Sequence, residues 1–254
     1  MGDGERVKVS VITVCMNAEA TIARTLESIL KQTYKGPLEY IIKDGSSKDA
    51  TLEVARSFEG RFYERGIDYR IVSSPDKGIY DAMNQGIDIS SGELIGILNA
   101  DDIYESVCIE RVVERYDETG FDLCYGDLRM ILPSGNTFIK KARLRKYTTS
   151  RDWNHPTQFV KKEIYDRFRY RCLNISDDMD LFFAVKKSGA KIEVINEVLA
   201  DFTMGGVSTK IPIREVPERI GRRYEVYRHN GYSRGYIFEC VAFELIKYLG
   251  ARFG

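Results

Sequence analysis

Leu94-Ile95-Gly96-Ile97-Leu98-Asn99-Ala100-Asp101-Asp102 runs from an apolar segment straight into two carboxylates. A short, continuous apolar run reads as a strand covered on both faces, the kind found in parallel sheets flanked by helices. In such sheets ligands bind beyond the carboxyl ends of the strands, where Asn99, Asp101 and Asp102 fall. Adjacent carboxylates repel each other and lose hydration if enclosed, so this placement calls for a cation, sugar hydroxyls or abundant water. A hard divalent metal meets that need. Taken alone, the tetrapeptide fits an acidic loop or helix cap equally well, with Asp102 starting a helix around residues 107–116.

Outward from this strand the pattern repeats. Residues 7–14, 38–43 and 69–73 read as strands, and residues 21–32, 50–64, 79–89 and 107–118 as helices. The alternation predicts a parallel sheet covered by helices. After residue 120 it changes: segments 121–132 and 137–140 flank the hairpin-turn sequence Pro133-Ser134-Gly135-Asn136. Residues 179–188 read as helix, 191–195 as extended chain and Gly205-Gly206 as a tight turn. From Arg214 the chain is helical and basic, and from Gly235 helical and apolar. The expected organisation is one domain over residues 1–210, with halves of about 1–120 and 121–210, and a helical extension over 211–254.

A chain of 254 residues with 43% hydrophobic and 30% charged residues can bury one sizeable core. Its 38 basic and 38 acidic residues cancel, which removes any global electrostatic case for nucleic acid. The five cysteines are scattered and form no C-x-x-C pair, arguing against a disulfide framework or zinc ribbon and for reduced thiols in a cytoplasmic protein. The apolar stretch at residues 9–14 is short, and the C-terminal one is broken by Glu239, Glu244 and Lys247. Neither a signal peptide nor a spanning helix is expected.

Further carboxylates gather on the same sheet edge. Asp44 follows the second strand, Gly45 allows a tight exit, and a carboxylate there can accept the imino proton of a uracil or guanine ring. A helix cap at Ser47 or Asp49 explains part of that segment but not Asp44. After the third strand, Asp76, Lys77 and Asp81 add charge beside a nucleotide. Asp177, Asp178 and Asp180 open a helix with more carboxylate than capping requires. One of them, facing a cleft, is placed to take a proton from an attacking hydroxyl.

These parts in this order resemble the family 2 inverting glycosyltransferases over about residues 9–208: Thr13-Val14 with Asn17 and Glu19, Asp44-Gly45-Ser46, residues 76–86, Asn99-Ala100-Asp101-Asp102, Asp177-Asp178 before Leu181, and Gly205-Gly206-Val207-Ser208. The resemblance implies an α/β GT-A fold, a Rossmann-like nucleotide-binding half joined to a mixed acceptor-side half, here with the C-terminal helical extension. It implies nucleotide contacts from Thr13, Val14, Glu19, Asp76 and Asn84, and base reading by Asp44. Asn99 and Asp101 fall on the family's D-x-D motif, Asn99 meeting the ribose and Asp101, helped by Asp102, holding Mn²⁺ or Mg²⁺. Asn99 replaces the usual first aspartate, and Lys43 stands where many members carry an acid. Asp178 matches the catalytic base, with His155, Gln158 and Asp177 on the acceptor side. The implied reaction is metal-dependent transfer, with inversion, of a sugar from a nucleotide-sugar, UDP-linked ahead of GDP- or dTDP-linked. The implied acceptor is a hydroxyl of a glycan or polyprenyl-linked glycan, as in bacterial-type polysaccharide or glycoconjugate biosynthesis, in the cytoplasm or at the inner face of the membrane.

Plainer readings stand beside these. His155 before a proline fits a loop as well as an acceptor contact, Trp153 reads as core ahead of a sugar-stacking ring, and His229 as merely exposed. The basic segments 140–146, 161–171 and 214–228 read individually as solvated faces. On the last helix, Phe238, Val241, Ala242, Leu245, Ile246, Leu249 and Phe253 share one side while Glu239, Glu244 and Lys247 mark the other, which suggests packing or a homodimer ahead of peripheral membrane contact. A sugar-1-phosphate nucleotidyltransferase would need a glycine-rich basic loop where Cys15-Met16-Asn17-Ala18-Glu19 stands. A non-catalytic nucleotide-sugar-binding protein would have no use for a base at Asp178.

Overall fold

The computed structural model describes residues 6–204 and 213–253, so the expected turn at Gly205-Gly206 lies outside the described residues. Strands β1 (Val9–Cys15), β2 (Leu38–Asp44), β3 (Asp68–Ser73) and β4 (Leu94–Ile97) pair in parallel in the order β3-β2-β1-β4. β1 and β2 are buried throughout. Their alternating side chains feed two cores, one on each face of the sheet. Val9, Val11, Tyr40 and Ile42 join the first, packed by helices α1 (Ile22–Leu30), α2 (Thr51–Ser57), α3 (Glu59–Glu64) and α5 (Cys108–Thr119). Ile12, Val14 and Ile41 join the second, beneath α4 (Ile79–Ile89). There α4 sits so close that a Cβ on Gly86 would lie 2.5 Å from Ile12 Cγ2. The chain builds outward from β1 to β3, then crosses back to lay β4 on the other side of β1. That reversal opens a crevice at the carboxyl ends of β1 and β4.

The second half extends the same sheet. Its strands are β5 (Ile103–Tyr104), β6 (Leu123–Ile131), β7 (Thr137–Lys140), β8 (Phe159–Lys161) and β9 (Ile192–Thr203). β8 runs antiparallel between β4 and β6, β9 runs parallel to β6, and the β6–β7 hairpin forms as its turn sequence predicts. Several local expectations shift. The helix expected over 50–64 is two, meeting at Phe58, whose ring packs on Phe62. The strand expected at 191–195 continues to Thr203 across register shifts between Gly126 and Leu128 of β6, because the half-buried positions of β9 obscure any period-two signal. The basic stretch 161–171 holds helix α6 (Lys162–Arg167), which buries Ile164 and Tyr165.

Helices α7 (Asp177–Lys187), α8 (Val216–His229) and α9 (Tyr236–Phe253) complete the second core. The C-terminal helices are thus part of it: Val226, Tyr227, Tyr236 and Cys240 share that core with residues of α6 and α7, Tyr227 meeting Phe183 of α7. The orientation of α9 corrects the expectation drawn from its sequence. Glu244 is 1% exposed, held by Arg219 Nε at 3.1 Å and Arg223 Nε at 3.0 Å, while Phe238 and Ile246 are 78% and 61% exposed. The reason lies on α8, whose Arg219 and Arg223 are covered by α9 and need carboxylates there. The acidic side therefore turns inward. Among the described residues no helix is long and apolar enough to cross a membrane.

Candidate active site

The loops after β1 and β2 are tied together at the crevice. Asn17 and Ser46 both adopt positive φ, 52° and 66°, a strained conformation for residues with side chains. Hydrogen bonds hold them: the Asn17 amide donates to Ser47 Oγ at 2.8 Å, and the Lys48 amide to Asn17 Oδ1 at 2.8 Å. Glu19 belongs to this lacing, its Oε2 accepting the Ala50 amide at 2.8 Å at the start of α2. The Thr13 side chain lies between strands, its hydroxyl 3.0 Å from that of Tyr40, and Val14 is buried in the second core. Any contact of Thr13 or Val14 with a ligand would therefore come from the backbone at the end of β1.

Asp44 is fully buried at the end of β2. It accepts the Ser47 amide at 3.0 Å, the Ser73 hydroxyl at 2.6 Å and the Ser47 hydroxyl. Burial alone would raise its pKa, but these donors hold the carboxyl below its ordinary value. Lys43, also buried, donates to the carbonyls of Asp44 and Ser74 and lies 3.7 Å from Asp76 Oδ2. Asp76 in turn accepts the Gly78 amide at 2.9 Å. Sequence reading took Lys43 as a departure from pattern and missed the pair it forms with Asp76, which only the adjacency of β2 and β3 creates. Asn84 sits away from this edge: its amide donates to the Tyr170 carbonyl at 2.8 Å and its Oδ1 accepts the Tyr170 amide at 3.3 Å, clamping α4 to the segment before α7. Each polar end of Asn84 thus holds a protein partner.

At the end of β4 the two aspartates separate. Asp101 is half-buried, and burial raises its pKa against the charge of Arg24. Asp102 is 0% exposed, pushed well above the usual carboxylate range by burial and by Asp101. Its Oδ1 has no hydrogen-bond partner in the protein, and neither has the buried Asn99 Oδ1. These orphaned oxygens beside Asp101 are suited to a hard cation. Among the described residues no group of three or more His, Cys, Asp or Glu side chains is placed to hold a metal, but magnesium-type ions commonly take only one or two protein carboxylates together with substrate phosphates. Asp102 does not start a helix, since α5 begins only at Cys108, and it lies enclosed beside the more accessible Asp101.

Across the crevice, the surplus of carboxylate at α7 resolves into three separate duties. Asp177 is 2% exposed and accepts the amides of Leu173 at 2.7 Å and Asn174 at 3.1 Å, closing the preceding loop. Asp180, also buried, accepts Asn230 Nδ2 at 2.6 Å and His229 Nδ1 at 3.0 Å, fastening the end of α8. His229 is exposed, as expected, but makes this contact. Asp178 lies half-buried between them, its Oδ1 accepting the Met179 amide at 2.7 Å. The Tyr80 hydroxyl, which donates to the Ile175 carbonyl at 2.9 Å, also reaches Asp178, and Tyr80 stacks on Tyr170 at 5.3 Å. Tyr80 was not singled out from the sequence, although it lies within the 76–86 motif.

His155 joins this group, its Nε2 3.0 Å from the Tyr170 hydroxyl. Burial lowers its pKa while the Asp178 charge opposes, and the Tyr170 ring it meets stacks on Tyr80, which reaches Asp178, so one group joins His155 to Asp178. Gln158 is 3% exposed and accepts Trp153 Nε1 at 2.8 Å. Trp153 stacks on Phe182 with centroids 4.9 Å apart, which settles it as core. The arrangement therefore places a half-exposed carboxylate at the end of a parallel strand and another at a helix start in the facing half.

A model described as Glycosyl transferase family 2 matches residues 10–190 of the chain. A PGL/p-HBAD biosynthesis glycosyltransferase of Mycobacterium bovis is 39% identical over 123 residues, 48% of this chain and 46% of that protein. Glycosyltransferase AglE of Haloferax volcanii is 33% identical over 134 residues, 52% of this chain and 43% of that protein. The matches thus span about half the length of these curated relatives. Among solved structures, S. aureus TarS 1-349 in complex with UDP-GlcNAc superposes with a TM-score of 0.66 at 17% identity, covering 96% of this chain and 73% of that one. The mannosyltransferase PcManGT from Pyrobaculum calidifontis, in complex with GDP-Man and Mn²⁺, gives 0.66 at 16% identity, covering 97% and 74%. At such identities the likeness is one of fold, and that fold is GT-A.

Proposed function

The chain belongs to glycosyl transferase family 2, and from that premise we propose that it transfers a sugar from a nucleotide-sugar to an acceptor hydroxyl with inversion, using Asp178 as the base and Asp101 as the metal ligand. The observation that carries this reading is the division of labour at α7. Asp177 and Asp180 are committed to backbone and helix contacts, leaving Asp178 in the environment shared with His155 and Tyr80.

An alcohol does not ionise at neutral pH, so its proton must leave as the new bond forms. The acceptor oxygen bonds to the anomeric carbon while the bond from that carbon to the diphosphate oxygen breaks. The hydroxyl proton passes to the Asp178 carboxylate, and the electron pair departs with the nucleoside diphosphate. A positioned carboxylate contributes roughly 10²–10⁴-fold to such a step. Bound Mn²⁺ or Mg²⁺ would offset the charge on the leaving diphosphate. Asn99 offers an amide to a ribose hydroxyl, and the laced loops at Asn17 and Ser46 present backbone to the nucleoside. Asp44 belongs to the base pocket through the loop it organises. UDP-sugars are the first candidates as donors, then GDP- and dTDP-sugars, with a glycan or polyprenyl-linked glycan as acceptor. On this reading residues 1–120 form the donor half and 121–210 the acceptor half, with α8 and α9 bracing the latter.

Calorimetry with UDP, GDP and dTDP, with and without Mn²⁺, tests this reading and identifies the base. One nucleotide should bind in a metal-dependent manner, adding about 2.7 kcal/mol of stability at a hundred times its Kd. Asp101→Ala should abolish the metal-dependent part. Binding that ignores both metal and Asp101 would overturn the assignment.

A further inference from the structure

Strand β7, the segment after it and the first turn of α9 enclose a groove of about 520 Å³, within the range of about 300–1,000 Å³ usual for small-molecule sites. Lys140, Lys141, Arg143, Arg145 and Arg151 line it. Its two carboxylates are already engaged, Asp152 with Arg145 at 3.4 Å and Glu239 with Arg151 at 2.6 Å. Lys141 reaches Asp127 at 2.6 Å. Lys140 and Arg143 have no ion-pair partner among the described residues; the ammonium of Lys140 donates only to the Trp153 carbonyl, at 2.8 Å.

The inner end of the groove leads toward the candidate catalytic group through Trp153, whose carbonyl takes the Lys140 ammonium and whose ring meets His155 edge-on at 5.7 Å. Lys140 is lowered to about 8 chiefly by burial, with Asp178 opposing and Lys247 and Arg223 reinforcing the shift. Lys247 of α9 is likewise lowered to about 8, by burial first and then by Arg219. Five basic side chains thus line one groove, with the Lys140 ammonium largely desolvated, an arrangement that an anion relieves. Lys140 and Arg143, both without an ion-pair partner among the described residues, exceed what one carboxylate can balance, whereas a phosphate monoester carries about −1.5 to −2. Arginine forks and lysine ammonium groups both suit its oxygens. Ile139 and Tyr147, 48% and 53% exposed, give the groove an apolar wall.

We propose that this groove binds the phosphate or diphosphate group of the acceptor, holding it beside the hydroxyl that reacts at Asp178. The inference rests on the reading of Asp178 as the base. It concerns the acceptor and is independent of the donor site.

Calorimetry on the full chain in metal-free buffer, with inorganic pyrophosphate, farnesyl diphosphate, farnesol and glucuronate as probes, tests it. Both diphosphates should bind, and farnesol and glucuronate should not. Tighter binding of farnesyl diphosphate identifies a lipid-borne phosphate through the apolar wall, while equal affinity assigns recognition to the phosphate alone. Lys140→Gln combined with Arg143→Gln should weaken diphosphate binding about tenfold or more, as loss of charge-assisted hydrogen bonds requires. Lys140→Arg should retain binding, which separates loss of charge from loss of fold. Asp101→Ala should bind farnesyl diphosphate as the unaltered chain does, distinguishing this groove from the donor site. Absence of diphosphate binding, equal binding of glucuronate, or binding that survives the double substitution would overturn the proposal. Wild-type transfer by Asp178→Asn would instead remove the base assignment while leaving the binding result standing.

Discussion

Asp177 and Asp178 are neighbours with different partners, and substitution separates their roles. Asp178→Asn keeps shape but cannot accept a proton, so transfer should fall roughly 10²–10⁴-fold while nucleotide affinity and melting temperature stay unchanged. Asp177→Asn should do the reverse. Its new amide would face either the Leu173 or the Asn174 donor, leaving one unsatisfied at a cost of about 1–3 kcal/mol, read as a lowered melting temperature with a smaller loss of rate. Parallel melts and transfer assays decide between them; equal rate losses in both variants would remove the distinction. Asp44 supplies a pH test. Its folded pKa is depressed despite burial, because Ser47 and Ser73 donate to it. The stability it contributes is therefore present above the unfolded value near 3.9 and is lost as pH falls through the lower folded value. Ser73→Ala removes one donor to a charged group, about 1.5–3 kcal/mol. The variant should melt lower than the unaltered protein at pH 7, and the gap should close below about pH 4. A gap independent of pH would show that Ser73 acts by packing alone.

At the scale of elements, α8 and α9 show how a helix pair with high local charge becomes part of a core. Tyr227 lies 4.8 Å from Phe183 and 4.3 Å from Tyr236, ring to ring, and Arg223 sits 3.9 Å above Phe243. Burying a large apolar side chain is worth about 1.5–3 kcal/mol. The set Val226, Tyr227, Tyr236 and Cys240 thus contributes on the order of the whole net stability of a domain, about 5–15 kcal/mol. A chain ending at residue 204 should therefore fail to fold cooperatively, and circular dichroism melts with limited proteolysis would reveal it. A fragment melting at the temperature of the full chain would mean that these helices are an independent appendage.

For the molecule as a whole, net charge is zero, so attraction to any anionic surface must be local. The outward side of α9 exposes Phe238, Leu245 and Ile246, at 78%, 47% and 61%, and the basic groove begins beside Glu239 of the same helix. We propose that these two features together make a peripheral contact with anionic membrane. Flotation with phosphatidylglycerol vesicles should carry the protein upward at low salt, and Phe238→Ser with Ile246→Ser should abolish it. Light scattering guards the alternative: a dimer in solution lost in the same variant, without vesicle binding, would assign the stripe to a second copy of the chain.

The parallel half was legible in the sequence because its central strands β1, β2 and β4 are buried on both faces and its helices carry regular apolar spacing. Both signals are local, and so was the placement of Asp44, Asp101 and Asp178 at the ends of elements. Other features depended on contacts between distant segments. The Lys43–Asp76 pair needs β2 beside β3, the duties of Asp177 and Asp180 need the loop before α7 and the end of α8, and the clamp that Asn84 makes needs Tyr170. The face that α9 buries is the plainest case. Its own periodicity favoured turning the apolar side inward, but Arg219 and Arg223 on α8 required Glu244, and the cost of leaving those charges buried and unpaired outweighed exposing Phe238 and Ile246. Local periodicity determined which segments became helices and strands; tertiary structure alone decided which of their side chains met, because a charge seeks its partner wherever in the chain that partner lies.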